Sequence, residues 1–188
     1  LTTKYALISY LQPLCKILLT YRSGIDPETK NAFTSSMTDK NYSKLKMLME
    51  EEVPFNKHLQ MKLESIREGY CLVRIPWATH LTGDASRPAV HGGGLATLLD
   101  AAGGAACWSL LENESDRLST VDLRIDYLRP GPAQAMICEA KVVRMGNKVC
   151  VARMEIFSEG DDPNEIGPIA TGQGVYNVAK PKTRSNKV

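Results

Sequence analysis

Residues 90–111, VHGGGLATLLDAAGGAACWSLL, constrain what this chain can fold into more than any other stretch. Leu95, Leu98, Leu99, Ala102, Ala105 and Ala106 recur at the i, i+3, i+4 spacing of a buried helical stripe. The other positions are hardly more polar: Ala96, Ala101, Gly103, Gly104 and Trp108. A helix apolar nearly all round is buried on most sides, so the rest of the chain is predicted to wrap around it. Past His91, its one charged residue is Asp100. A lone carboxylate there is costly unless it is paired, hydrogen-bonded or opens into a cleft.

The start of the helix has its own chemistry. His91 precedes Gly92, Gly93 and Gly94, and glycines let another group approach the backbone closely. The first amides of a helix lack an intrahelical partner and sit at the positive end of its dipole. They can hold an anion, including the oxyanion formed when a carbonyl is attacked; equally, the glycines can be a tight turn into a core helix. Gly103-Gly104, flanked by alanines, reads either as a thin surface that a strand or a second subunit approaches, or as a local kink.

Around this helix, 188 residues with 43% hydrophobic content are globular material. A formal charge of +2 gives no reason to expect nucleic acid. Five cysteines without a CxxC pair argue against a disulfide framework or zinc ribbon and point to a reducing, cytoplasmic setting. Three histidines without carboxylates at ligand spacing predict no metal site. Residues 1–36 read as a leader or extension outside the core. Tyr5 to Leu19 is apolar but broken by Lys16, too short and interrupted to read as a membrane span, so no membrane partner is expected. The functional unit is placed at 37–179, with a basic disordered tail at 180–188.

Residues 38–53 read as a charged amphipathic helix that stops before Glu50, Glu51 and Glu52, because acids oppose the dipole at a helix C-terminus. From Pro54 the chain is expected to lead into strands, with a hairpin formed by 58–67 and 70–77 about Glu68-Gly69. Asp84, Ser86 and Arg87 lie on a polar loop that delivers the chain to His91; they line a site mouth or are merely solvated. In 119–129, Val121, Leu123, Ile125 and Tyr127 alternate with Thr120, Asp122, Arg124 and Asp126, a half-buried strand. Two more strands, 133–145 and 148–158, meet at Gly146-Asn147, and 169–178 is the last, with Gly172 and Gly174 marking a bend or close approach. Hairpin, buried helix and four strands predict an α+β fold, an antiparallel sheet wrapped round a central helix.

HGGGLATLLDAAGGAA, followed by STVDLRIDYLRPG, VVRMGNKV and IATGQGVYNV, resembles the hotdog-fold acyl-CoA thioesterases of the phenylacetyl-CoA thioesterase (PaaI) type, over residues 55–178. The resemblance implies hydrolysis of an acyl-CoA or aryl-CoA thioester without a further cofactor. It also implies a homodimer with its site at the subunit interface, and often a dimer of dimers. It gives Asp100 the role of catalytic carboxylate, attacking the thioester or activating a water. Gly92, with Gly93, lies at the oxyanion hole, and His91 shapes the turn and orients the thioester. Thr120 carries a water-positioning hydroxyl supplied from the partner subunit. Arg144, Gly146 and Lys148 form a basic turn near the nucleotide of coenzyme A; as bare sequence, the same residues are an exposed hairpin end. Relatives often carry asparagine six or seven residues before the histidine; this chain has Ala85 and Asp84 there, and Asp84 stands in for it. The rival readings are a hotdog hydratase or dehydratase, and a non-catalytic acyl-CoA-binding module.

Overall fold

The computed structural model describes residues 42–84, 86–113 and 115–180. The leader expected at 1–36, Ala85 and all but the first residue of the tail expected at 180–188 lie outside them. The chain divides into two units, one of residues 42–158 and 168–188, the other of 1–41 and 159–167. In the second unit, residues 159–167 form a turn in which the Asp162 carboxylate accepts from the backbone N–H and Nδ2 of Asn164, both at 2.9 Å.

In the first unit, α1 (Ser43–Met47) runs into a π-helical turn, Leu48–Glu52, and α2 spans Pro54–His58. This corrects two expectations: the helical segment continues through the glutamates, and a second short helix precedes the strands. The reason is Glu50, whose carboxylate turns back to accept from Lys46, from Lys62 at 3.0 Å and from the Leu63 N–H at 2.9 Å. Pro54 at the first position of α2 gives up no intrahelical hydrogen bond.

The hairpin follows as β1 (Lys62–Arg67) and β2 (Tyr70–Ile75), turning at Gly69 with φ +68°. After a 3-10 turn at Thr79–Leu81 comes the central helix α3, Gly92–Trp108. Then come β3 (Arg117–Tyr127), β4 (Met136–Met145), β5 (Val149–Ser158) and β6 (Ala170–Ala179). The strands form one antiparallel sheet in the order β1-β2-β4-β5-β6-β3, which leaves β3 at an edge.

The central helix packs on β2, β3, β4, β5 and β6. Leu98, Leu99, Ala102, Ala106 and Cys107 are fully buried against Cys71, Val73, Ile75, Cys138, Ala152, Met154 and Ile156 from the sheet. Burial of each such leucine stabilises by about 1.5–3 kcal/mol, which fixes the helix to one face of the sheet. Cys71, Cys107, Cys138 and Cys150 are free thiols in this core.

In β3 the expected alternation breaks at one residue. Thr120 pairs with Tyr176 and Asp122 with Val175, so Val121 is an inserted bulge residue. Val121 is therefore 66% exposed, while Leu118, Leu123 and Ile125 pack on the core.

Candidate active site

The helix start is built from a side-chain cap. His91 holds an extended conformation (φ −62°, ψ 134°), and its Nδ1 accepts from the Gly93 N–H at 2.9 Å. An accepting Nδ1 places the proton of the neutral ring on Nε2. The fit is close: a Cβ on Gly93 would lie 3.0 Å from that nitrogen. The His91 N–H donates to Leu81 O at 2.7 Å and the Val90 N–H to Gly131 O at 2.9 Å, tying the turn to both neighbouring loops. Tyr127 at the end of β3 donates its hydroxyl to Gly92 O at 3.0 Å. The Gly93 amide is thus taken by the cap, and Gly92 is left with the open amide, since no acceptor meets its N–H among the described residues.

Asp100 sits two turns further on, half-buried. Its Oδ1 accepts from Thr120 Oγ1 at 2.8 Å, and Tyr176 donates its hydroxyl to the Asp100 main-chain oxygen at 3.1 Å. The contact lies within one chain. The bulge explains the reach. Thr120 is the last residue in regular register before Val121, so it shares the helix-facing side of the strand with Leu118 while staying exposed at the sheet edge. Burial, reinforced by the charge of Asp100, pushes the Tyr176 phenol well above its usual pKa, so it remains a donor.

Asp84 is engaged elsewhere. Its carboxylate accepts from Ser86 Oγ at 2.6 Å, the Ser86 N–H at 2.9 Å and Arg87 Nε at 2.8 Å. Hydrogen bonds from Ser86, then Arg87, hold its pKa down to about 2. The loop spends this carboxylate on its own turn. Arg144, Gly146 and Lys148 sit at the exposed β4–β5 turn, where the Gly146 N–H donates to Val149 O and Lys148 O accepts from Val178. One row of the sheet links this turn to Asp100: Thr120 pairs with Tyr176, Tyr176 with Cys150, and Cys150 with Met145. Three strand spacings of about 4.8 Å put β4 roughly 14 Å across the sheet from Thr120. His58 and His80 are exposed, with ring centroids 5.2 Å apart. No group of three or more metal-ligating side chains occurs among the described residues.

A family model described as thioesterase superfamily matches residues 88–164, which include His91, Gly92, Asp100, Thr120 and the β4–β5 turn. The medium/long-chain acyl-CoA thioesterase YigI of Escherichia coli is 34% identical over 119 residues, covering 57% of this chain and 77% of YigI. The chain belongs to the thioesterase superfamily. A putative esterase of Halobacterium salinarum is 36% identical over 123 residues, 64% of this chain and 81% of the relative. Among solved structures, a thioesterase-superfamily protein of Shewanella oneidensis is 30% identical with a TM-score of 0.63, covering 73% of this chain and 94% of that one. The Escherichia coli PaaI protein of the phenylacetic acid degradation operon shares the fold at 24% identity and a TM-score of 0.64, over 77% of this chain and 97% of its own.

A thioesterase needs a nucleophile or base and a donor for the developing oxyanion; Asp100 and the Gly92 amide are chemically suited to each. Two tyrosines that hold these groups, Tyr127 and Tyr176, were not singled out by sequence reasoning. The signal for Tyr176 was present in Gly103-Gly104 and Gly174, which mark close approach without naming what approaches. No helix among the described residues is long and apolar enough to cross a membrane.

Proposed function

We propose that this thioesterase hydrolyses an acyl-coenzyme A to the free acid and coenzyme A, with Asp100 as its reacting carboxylate. The observation that carries the reading is a carboxylate on an otherwise apolar helix, held by the Thr120 hydroxyl at 2.8 Å. As a base, Asp100 takes a proton from water while the water oxygen attacks the thioester carbon. As a nucleophile, its oxygen attacks directly and water then opens the mixed anhydride. On either route the carbonyl oxygen takes up charge, the C–S bond breaks, and a proton passes to the leaving sulfur. The net cost is one water. The kinship with YigI makes medium and long aliphatic chains the first substrates to try, ahead of aryl groups.

Helix geometry argues for two copies per site. Asp100 follows Gly92 by eight residues, about 12 Å along the axis at a rise of about 1.5 Å per residue. A carbonyl attacked from about 3 Å and hydrogen-bonded at about 3 Å does not span that distance. The Gly92 amide that serves Asp100 therefore belongs to a second copy, with His91 orienting the thioester beside it. The free edge of β3, with Val121 and Tyr127 exposed, is surface that such a homodimer covers. Further pairing into a dimer of dimers belongs to the same reading, as does a cytoplasmic setting for a core of free thiols. Arg144, three strands from Thr120, and Lys148 across the turn from it suit the phosphates of coenzyme A.

The test is complementation. Gly92→Pro deletes the amide and brings the new Cβ to 3.4 Å from the Tyr127 ring, within contact distance; proline is accepted at the first helical position, and His91 already has the extended conformation a following proline requires. Asp100→Asn and Gly92→Pro are each expected to be inactive. Mixed by refolding, they should regain about a quarter of wild-type thiol release, since half the dimers are hybrid and each hybrid holds one intact site. No regain would mean that each chain uses its own Gly92, and the two-copy site would fall.

A further inference from the structure

Tyr176 heads the fully buried side chains of the core by size, at 1% exposure. Its phenol lies across the central helix where that helix has no side chains. A Cβ on Gly103 would stand 2.2 Å from the hydroxyl, and one on Gly104 3.7 Å from the ring. On its own strand, a Cβ on Gly174 would stand 2.6 Å from ring and hydroxyl. Two adjacent mid-helix glycines weaken a helix, so the groove they open is maintained against a cost. What it admits is one polar atom, and that atom donates to the main-chain oxygen of Asp100 at 3.1 Å. Phenylalanine would fill the same groove without that bond.

The register adds a second, independent observation. Thr120 and Tyr176 are direct cross-strand partners on β3 and β6. Thr120 bonds the carboxylate of Asp100 and Tyr176 bonds its backbone, so one rung of the ladder holds one residue at both ends. The Asp100 oxygen is already an acceptor in the helix ladder, and a carbonyl takes two donors. The tyrosine bond is therefore not required to satisfy that carbonyl. Its effect is to tie the helix backbone to β6, and through the Thr120–Tyr176 pair to the strand that carries Thr120.

We propose that Tyr176 is a positioning residue for hydrolysis, setting through the Asp100 main chain the angle at which the Thr120-bonded carboxylate meets the thioester. This rests on Asp100 being the reacting carboxylate.

The 188-residue chain is assayed for thiol release from acetyl-, octanoyl-, palmitoyl- and phenylacetyl-CoA as wild type, Asp100→Asn, Tyr176→Phe, Thr120→Val and the double variant Tyr176→Phe/Thr120→Val. Tyr176→Phe should keep KM within about twofold and lose roughly tenfold in kcat, the kind of loss that small misplacement of a reacting group produces. The double variant should lose less than the product of the single losses, because both changes act on one carboxylate. A packing role would leave kcat near wild type, or make the losses multiply, and either result overturns the proposal. Should Tyr176→Phe fail to fold, Gly103→Ala displaces the hydroxyl and keeps the ring; an unchanged kcat there overturns it equally. A wild type inactive on all four thioesters, or Asp100→Asn as fast as wild type, overturns the reading of Asp100 together with the proposal. An active wild type, an inactive Asp100→Asn and an unaffected Tyr176→Phe overturn the proposal alone.

Discussion

Thr120 and Tyr176 face each other across β3 and β6 and close on Asp100 from two directions, one at its carboxylate at 2.8 Å and one at its main-chain oxygen at 3.1 Å. The rung lies immediately before the Val121 bulge. The edge strand thus serves the helix twice, since Tyr127 at its other end holds Gly92 O at 3.0 Å.

Replacing Thr120 by valine keeps the shape and removes the hydroxyl. A hydrogen bond to a charged group is worth about 1.5–3 kcal/mol, and if it strengthens by that much as charge shifts in the transition state, its removal lowers kcat by roughly 10–100-fold. Thr120 is exposed and valine favours strands, so the midpoint of thermal unfolding should hold. Steady-state kinetics and a melting curve check both halves; a wild-type kcat would remove Thr120 from the mechanism.

Gly103→Ala separates packing from propensity. Alanine is better than glycine in a helix by about 1 kcal/mol, so propensity alone would stabilise. The new methyl would sit 2.2 Å from the Tyr176 hydroxyl and 2.9 Å from the Met154 sulfur. Overpacking of this kind costs about 1–3 kcal/mol, and the variant should unfold at lower urea than wild type. A higher midpoint would mean that the groove yields freely.

Much of the architecture could be read before the structure because burial writes itself into the sequence as period. The helix was legible from apolar residues on every face, and the strands from alternation. Val121 was misplaced because alternation records which face is buried, and a bulge changes face without changing the pattern. The π-helical turn was missed for a different reason. Three glutamates at a helix end look unfavourable locally, but Glu50 is compensated by Lys62, twelve residues away. At the site, Asp100, His91 and the glycines stood out as chemistry out of place in an apolar run. The capture of the Gly93 amide by His91 and of the Asp84 carboxylate by its own loop did not, because short-range geometry decides both.

Glu50 makes a pH-dependent contribution to stability. Burial pushes its pKa up, but donors from Lys46, Leu63 and Lys62 outweigh this and leave it below its usual value. A depressed folded-state pKa means that the stabilisation is fully present above the unfolded value, near about 4.3, and is lost as pH falls through the folded one. Glu50→Gln should be less stable than wild type by about 1–2 kcal/mol at pH 7. That difference should shrink steadily below about pH 4. Urea unfolding at pH 7 and pH 3 checks the sign; a gap that widens in acid would contradict it.

The most direct test of the central claim is thiol release from a panel of short, long and aromatic acyl-CoAs by wild type and Asp100→Asn side by side. The carboxamide keeps the size of the side chain and can still accept from Thr120, so the fold should survive, as a melting curve will report. Wild type should release coenzyme A and the variant should lose about a thousandfold or more, the scale of a lost base or nucleophile. Equal turnover by the two proteins would contradict the assignment of Asp100.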